Sequence, residues 1–141
     1  MTLDNYLQEA GALATLSGIL AGFAFSAVVQ FLATEREGRL YTALIVVFSL
    51  STLMFLFSLT TFIMGFATAA ELNDIPPDSL DWLGVYSFLV LIGALYLFLA
   101  GIGIAGWMRS RAAGIATTFF SIVTMCLTTW TIFSAIAIFV E

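Results

Sequence analysis

Four long apolar runs, broken only by short polar segments, decide what this chain can become. They cover residues 10–33, 40–70, 82–108 and 115–140, and none contains Asp, Glu, Lys, Arg or His. A helix needs about 20 apolar residues to cross the roughly 30 Å hydrocarbon core of a bilayer. Each run meets that length. Barrel strands would instead be about 10 residues long and alternate apolar with polar. Charged residues make up only 9% of the chain, against roughly 25% in a soluble domain. The expected fold is therefore an all-α, integral membrane four-helix transmembrane bundle. It forms one domain over residues 1–141, with the lipid bilayer as its first partner.

The breaks fall at 34–39, 71–81 and 109–114. The first is short enough only for a tight turn between antiparallel helices. The second holds Pro76-Pro77, which oppose helix continuation, and Asp78 or Ser79 is placed to cap the helix that follows. Trp82 and Trp107 flank the third run, as residues that favour the membrane–water interface. The second run is longer than a bilayer core needs, so it must tilt, kink or project beyond the lipid; Gly65 is a candidate kink.

All four basic residues, Arg36, Arg39, Arg109 and Arg111, lie in the first and third breaks. The positive-inside bias puts those two loops in the cytoplasm, and the acidic second loop and both termini outside. The N-terminal segment carries Asp4 and Glu9 but no basic residue, unlike a cleaved signal peptide. The first helix is expected to be retained.

What is missing restricts function. Proton relays and ion-coupled transporters set a costly ionisable group inside the membrane, and no run supplies one. With no histidine and a single cysteine, Cys126, no metal or cofactor pattern exists. No nucleophile–base pairing suggests an enzyme. A net charge of −5 argues against nucleic acid as a partner.

The remaining pattern is one of small and hydroxyl residues. In the first run Ala10, Ala14, Gly18, Gly22, Ser26 and Gln30 recur every fourth position, forming a slowly winding stripe with Gln30 at its end. In the fourth, Thr117, Ser121, Thr124, Thr128, Thr131 and Ala135 alternate spacings of four and three. Ser51, Ser58, Thr61, Gly65 and Thr68 make a similar seam in the second run. Gly93, Ala94, Gly101, Ala105 and Gly106 mark a close-contact face in the third. Small residues let helix backbones approach in lipid. Helix packing is thus expected at Ala14, Gly18, Ser121, Thr124, Thr128 and Thr131.

The segment Ala21-Gly-Phe-Ala-Phe-Ser-Ala-Val-Val-Gln30 resembles the pore helix of the Orai-type calcium channels. That helix has a Ser-Gly-Phe-Ala opening and a glutamate at its outer end. The resemblance continues through Leu44-Ile45-Val46-Val47-Phe48-Ser49. In the third run Tyr86-Ser87, Ile92-Gly93-Ala94-Leu95, Phe98-Leu99-Ala100 and Trp107 are similar again, in order. It implies a four-helix subunit in a homo-oligomeric ring, with first helices lining a central pore. Gly22, Phe23, Ser26, Val29 and Gln30 would then be candidate pore-lining positions. The sequence also departs from that family. Gln30 stands where the resemblance places a glutamate, the N-terminal segment is acidic rather than basic, and no cytosolic C-terminal helix follows the fourth run. The family's cytosolic N-terminus conflicts with the arginine count.

Two functional expectations follow. One is an oligomeric, channel-like protein conducting inorganic cations, with the first helix at its axis. The other is a non-conducting four-helix membrane scaffold that anchors a partner.

Overall fold

The computed structural model describes residues 2–34, 38–72 and 78–140, and side chains outside 78–81 and 135–140. Four α-helices account for nearly all of these residues: α1 (Leu3–Leu32), α2 (Arg39–Leu72), α3 (Asp78–Trp107) and α4 (Arg111–Val140). All four contain stretches long and apolar enough to cross a membrane, consistent with a multi-pass integral membrane protein. The Pro76-Pro77 break and Arg36 lie outside the described residues, as do the side chains of Asp78, Ser79 and Ala135.

The helices overrun the apolar segments. α1 begins seven residues before the first run, because Thr2 caps it. The Thr2 hydroxyl accepts from the Asn5 N–H at 3.4 Å, and Asp4 sits in the first turn, where a negative charge offsets the exposed N–H dipoles. At about 1.5 Å per residue a 30-residue helix is roughly 45 Å long. It exceeds the bilayer core, so its ends reach headgroup depth. α2 opens after Gly38, whose φ of +156° is a conformation that side-chain-bearing residues rarely adopt.

The helices pack serially, α1 on α2, α2 on α3 and α3 on α4. Each neighbouring pair is antiparallel. Tyr6 meets Gly65 while Phe31 meets Tyr41; Ser58 meets Ser87 while Ser51 meets Ala94; Thr117 meets Gly103 while Thr129 meets Tyr96. The turns after α1 and α3 therefore share one end of the bundle.

α2 is the spine. Apart from Thr52, its buried residues Tyr41, Leu44, Phe48, Ser51, Phe55, Ser58, Phe62, Gly65 and Ala69 alternate spacings of three and four, the rhythm of a left-handed helix seam. Two columns of period seven make it up. Tyr41, Phe48, Phe55 and Phe62 supply bulk; Leu44, Ser51, Ser58 and Gly65 supply smaller side chains. Rings on one helix fit beside small residues on another. Against Gly101 of α3, the Phe48 ring lies only 2.9 Å from where a methyl group would sit. Gly65 falls within one continuous helix, where its missing side chain admits the Tyr6 hydroxyl, 2.8 Å from a methyl's place.

Hydroxyls join α2 to α3. Ser51 Oγ donates to the Ala94 carbonyl and Ser58 Oγ to the Ser87 carbonyl, both at 3.0 Å. Such interhelical bonds contribute about 0.6 kcal/mol each on average. On the other side of α3, the Trp107 indole N–H donates to Thr118 Oγ1 at 3.0 Å, and Thr117 Oγ1 donates to the Gly103 carbonyl at 3.2 Å. Among the described residues no buried side-chain polar atom lacks a hydrogen-bond partner.

Candidate functional site

The face that α1 turns toward α2 is not the every-fourth-residue stripe. Its buried residues are Ala10, Ala14, Ser17, Ala21, Ala24 and Val28, spaced alternately by four and three. The reason is geometric. Steps of four advance about 400° around a helix, so such a stripe drifts by roughly 40° per step. Ala10 and Ala14 lie buried in the α1–α2 contact, Gly18 is half-buried at its margin, and Gly22, Ser26 and Gln30 are exposed. The stripe starts inside the bundle and ends outside it.

A second seam occupies the opposite side. Gln8, Ala12, Thr15, Ile19, Gly22, Ser26 and Val29 keep the same four–three rhythm, and all are exposed. At about 100° per residue its centre lies roughly 160° from the buried seam. Gly22, Phe23, Ser26, Val29 and Gln30 all fall on or beside it. The fold thus brings these five to one exposed, outward face. An added methyl at Gly22 would meet nothing within 4 Å.

The outward hydroxyls are satisfied locally. Thr15 Oγ1 donates to the Gly11 carbonyl and Ser26 Oγ to the Gly22 carbonyl, each at 2.8 Å, so little polarity is left bare. Gln30 differs: its exposed carboxamide has no hydrogen-bond partner among the described residues. It lies two positions from the end of α1, close to the interface rather than at mid-membrane. Phe31 anchors this end. Its ring meets Tyr41 edge-on at 5.5 Å and stacks on Phe48 at 5.7 Å, and its carbonyl accepts from the Tyr41 hydroxyl. Aromatic pairs of this kind add about 0.5–1.5 kcal/mol beyond area burial. They hold Gln30 on a fixed platform.

Beside the outward seam a shallow groove of about 500 Å³ opens between α1 and α2, lined by Gly11, Ala14, Thr15, Gly18, Leu59 and Phe66 among others. Gly18 borders it, with Leu59 at 3.7 Å from a methyl's place.

On α4 the expected packing seam divides. Ser121 is buried against Gly103 of α3, and Thr128 is half-buried. Thr124 and Thr131 are exposed, with hydroxyls bonded back to the Phe120 and Leu127 carbonyls of their own helix at 2.8 and 2.9 Å. The side of α4 turned from solvent carries Gly114, Thr117, Thr118, Ser121, Met125, Thr128, Thr129 and Ile132, all buried or half-buried, with Thr117 and Thr118 bonded to the Gly103 carbonyl and Thr129 to the Tyr96 hydroxyl. The outward side of α4 carries Phe119, Phe120, Leu127, Trp130 and Phe133, each more than 60% exposed.

Among the described residues no three of His, Cys, Asp or Glu come together as metal ligands, and Cys126 is exposed. Comparison of the chain with family models, curated proteins and solved structures gives no match.

Proposed function

We propose that this protein is the subunit of a homo-oligomeric channel for inorganic cations, with α1 nearest the axis. One observation carries the reading: the outward seam of α1 is mostly small or polar, with Ala12, Thr15, Gly22 and Ser26 beside Ile19 and Val29, whereas the outward side of α4 carries Phe119, Phe120, Leu127, Trp130 and Phe133. Acyl chains are best met by large apolar side chains. A small, hydroxyl-bearing face suits close helix contact or a water-filled axis. The resemblance of the 21–30 segment to Orai-type pore helices points the same way. In this reading Ser26 and Gln30 offer neutral oxygens along the path. A ring of Gln30 carboxamides binds divalent cations more weakly than a ring of carboxylates, because calcium favours anionic oxygen ligands.

The test is flux of K⁺, Na⁺ and Ca²⁺ through the purified protein in sealed liposomes, with and without Gln30→Glu. Cation flux is expected, and the substitution should increase block by Ca²⁺. Conduction with unchanged divalent block removes Gln30 from the pathway. No flux from an inserted oligomer under any ionic or voltage condition replaces the channel with a non-conducting scaffold.

A further inference from the structure

We infer that the end of the bundle bearing Arg39, Arg109 and Arg111 is a docking surface for anionic phospholipid headgroups. The fold, not the sequence spacing, brings these residues to one place. α2 opens with Arg39, and α3 runs back antiparallel to it. Met108 packs against the Val28–Leu44–Phe48 cluster, which sets the Arg109 turn beside the first turns of α2.

That turn is closed by its own hydrogen bonds. The Arg109 and Ser110 N–H groups donate to the Gly106 carbonyl at 3.2 and 3.4 Å, and Ser110 Oγ accepts from the Ala113 N–H at 3.1 Å. The Trp107 indole N–H is engaged with Thr118. The guanidinium groups are the donors left over. All three arginines are exposed, and none has an ion-pair partner among the described residues.

Charge and depth select the occupant. The described acids Asp4, Glu9 and Glu71 lie toward the other end of the helices, roughly 35–50 Å away at about 1.5 Å per residue, far beyond the screening length of about 8 Å at physiological salt. Glu35 and Glu37 flank Arg36 in the 35–37 connection and leave the four arginines in excess. Arg39 opens the α2 span, Arg111 opens the α4 span, and Arg109 lies between the α3 and α4 spans, so all three reach headgroup depth. A guanidinium fork matches a phosphate bidentately. A zwitterionic headgroup presents its own cation to this surface; an anionic one does not. Each basic residue near a membrane surface strengthens anionic-lipid binding about fivefold.

The chain's tryptophans provide the assay. Trp107 marks the arginine end and Trp82 the opposite end. Two variants of the full chain, Trp82→Phe/Trp130→Phe and Trp107→Phe/Trp130→Phe, each keep one reporter. They are reconstituted in phosphatidylcholine vesicles containing a minor fraction of phosphatidylglycerol, with either lipid brominated in the upper acyl chain. Brominated phosphatidylglycerol should quench Trp107 more strongly than brominated phosphatidylcholine at equal content, with no such preference at Trp82. Arg39→Gln/Arg109→Gln/Arg111→Gln in the first background should abolish the Trp107 preference. Equal quenching of Trp107 by the two lipids overturns the inference without recourse to the arginine variant. So does an equal preference at Trp82, or a Trp107 preference that survives the triple substitution.

Discussion

Gly22→Leu separates what α1 does within the protomer from what it does outside it. A methyl group at this position meets nothing within 4 Å, so a leucine fits the isolated protomer without displacing any neighbour. Leucine also exceeds glycine in helix propensity by roughly 0.8 kcal/mol. The unfolding midpoint of the monomeric protein in detergent should hold or rise slightly. Gly101→Ala supplies the opposite case. Its methyl would sit 2.9, 3.1 and 3.2 Å from three atoms of the Phe48 ring. That ring is held between Phe31 and Phe98, with centroids 5.7 Å away on either side, and overpacking of this kind costs about 1–3 kcal/mol. The smaller substitution should therefore destabilise and the larger should not. In a homo-oligomer of the proposed kind the order should reverse. If the outward face of α1 lines an axis or meets another copy, Gly22→Leu places one butyl group per subunit there and abolishes flux or shifts the oligomer to smaller species. The measurements are thermal unfolding in detergent, oligomer size by light scattering, and liposome flux. Unchanged flux and unchanged oligomer size in a fully folded Gly22→Leu protein would refute the assignment of this face.

The hydroxyl links of α2 should be individually weak and additive. Ser51→Ala and Ser58→Ala each remove one 3.0 Å bond to an α3 carbonyl, at about 0.6 kcal/mol apiece, and the double variant should lose close to their sum in detergent unfolding. Tyr41→Phe removes the hydroxyl that reaches the Phe31 carbonyl but keeps the ring contact; a loss of about 1 kcal/mol is expected, with amide exchange faster at the end of α1 than at its centre.

The spans were legible because apolar length without charge has one structural solution in a bilayer. Their ends were not. A polar first turn such as Thr2–Glu9 continues a helix through capping, and hydropathy does not register capping. Which side of α1 faces α2 is likewise not given by the repeat of small residues. The step of four is conspicuous in the sequence, but only the alternation of four and three holds a constant face. The better signal lay in α2, where Tyr41, Phe48, Phe55 and Phe62 recur every seventh residue with Ser51, Ser58 and Gly65 between them. α3 is apolar on nearly every side, and its small residues were the signal: Gly93, Gly101 and Gly106 of the expected close-contact face sit against Met54, Phe48 and Thr117, whereas Gly103, which meets Thr118 and Ser121, shows only once α4 is in place. The five outward residues from Gly22 to Gln30 were named in the sequence, yet their lying on one face became visible only when the contact with α2 was fixed.

The contrast between α1 and α4 also resists an explanation by local chemistry alone. Both helices sit at the margin of a serial array, each packed mainly on one neighbour, so both leave an outward side exposed. A helix that met lipid on every free side would gain dispersion contacts from large side chains there, as α4 does through Phe119, Leu127, Trp130 and Phe133. α1 keeps alanine, threonine, glycine and serine at four of the seven positions of one seam, with Gln8, Ile19 and Val29 at the others. Leu16 and Phe23 protrude on one side of that seam, and the groove with α2 lies on the other, at Gly11 and Gly18. In a rotational assembly with the seam toward the axis, those two flanks face neighbouring copies. The depth of Leu16 along the helix matches the middle of the groove, so a protrusion on one subunit meets a recess on the next. Isolated protomers leave both unused, and helix association in lipid draws its energy from such complementary packing. Leu16→Ala, exposed in the protomer and thus nearly neutral to its folding, should weaken the oligomer as Gly22→Leu does. Filling the recess with Gly18→Leu should have the same effect. An oligomer indifferent to both substitutions would place α1 against lipid after all.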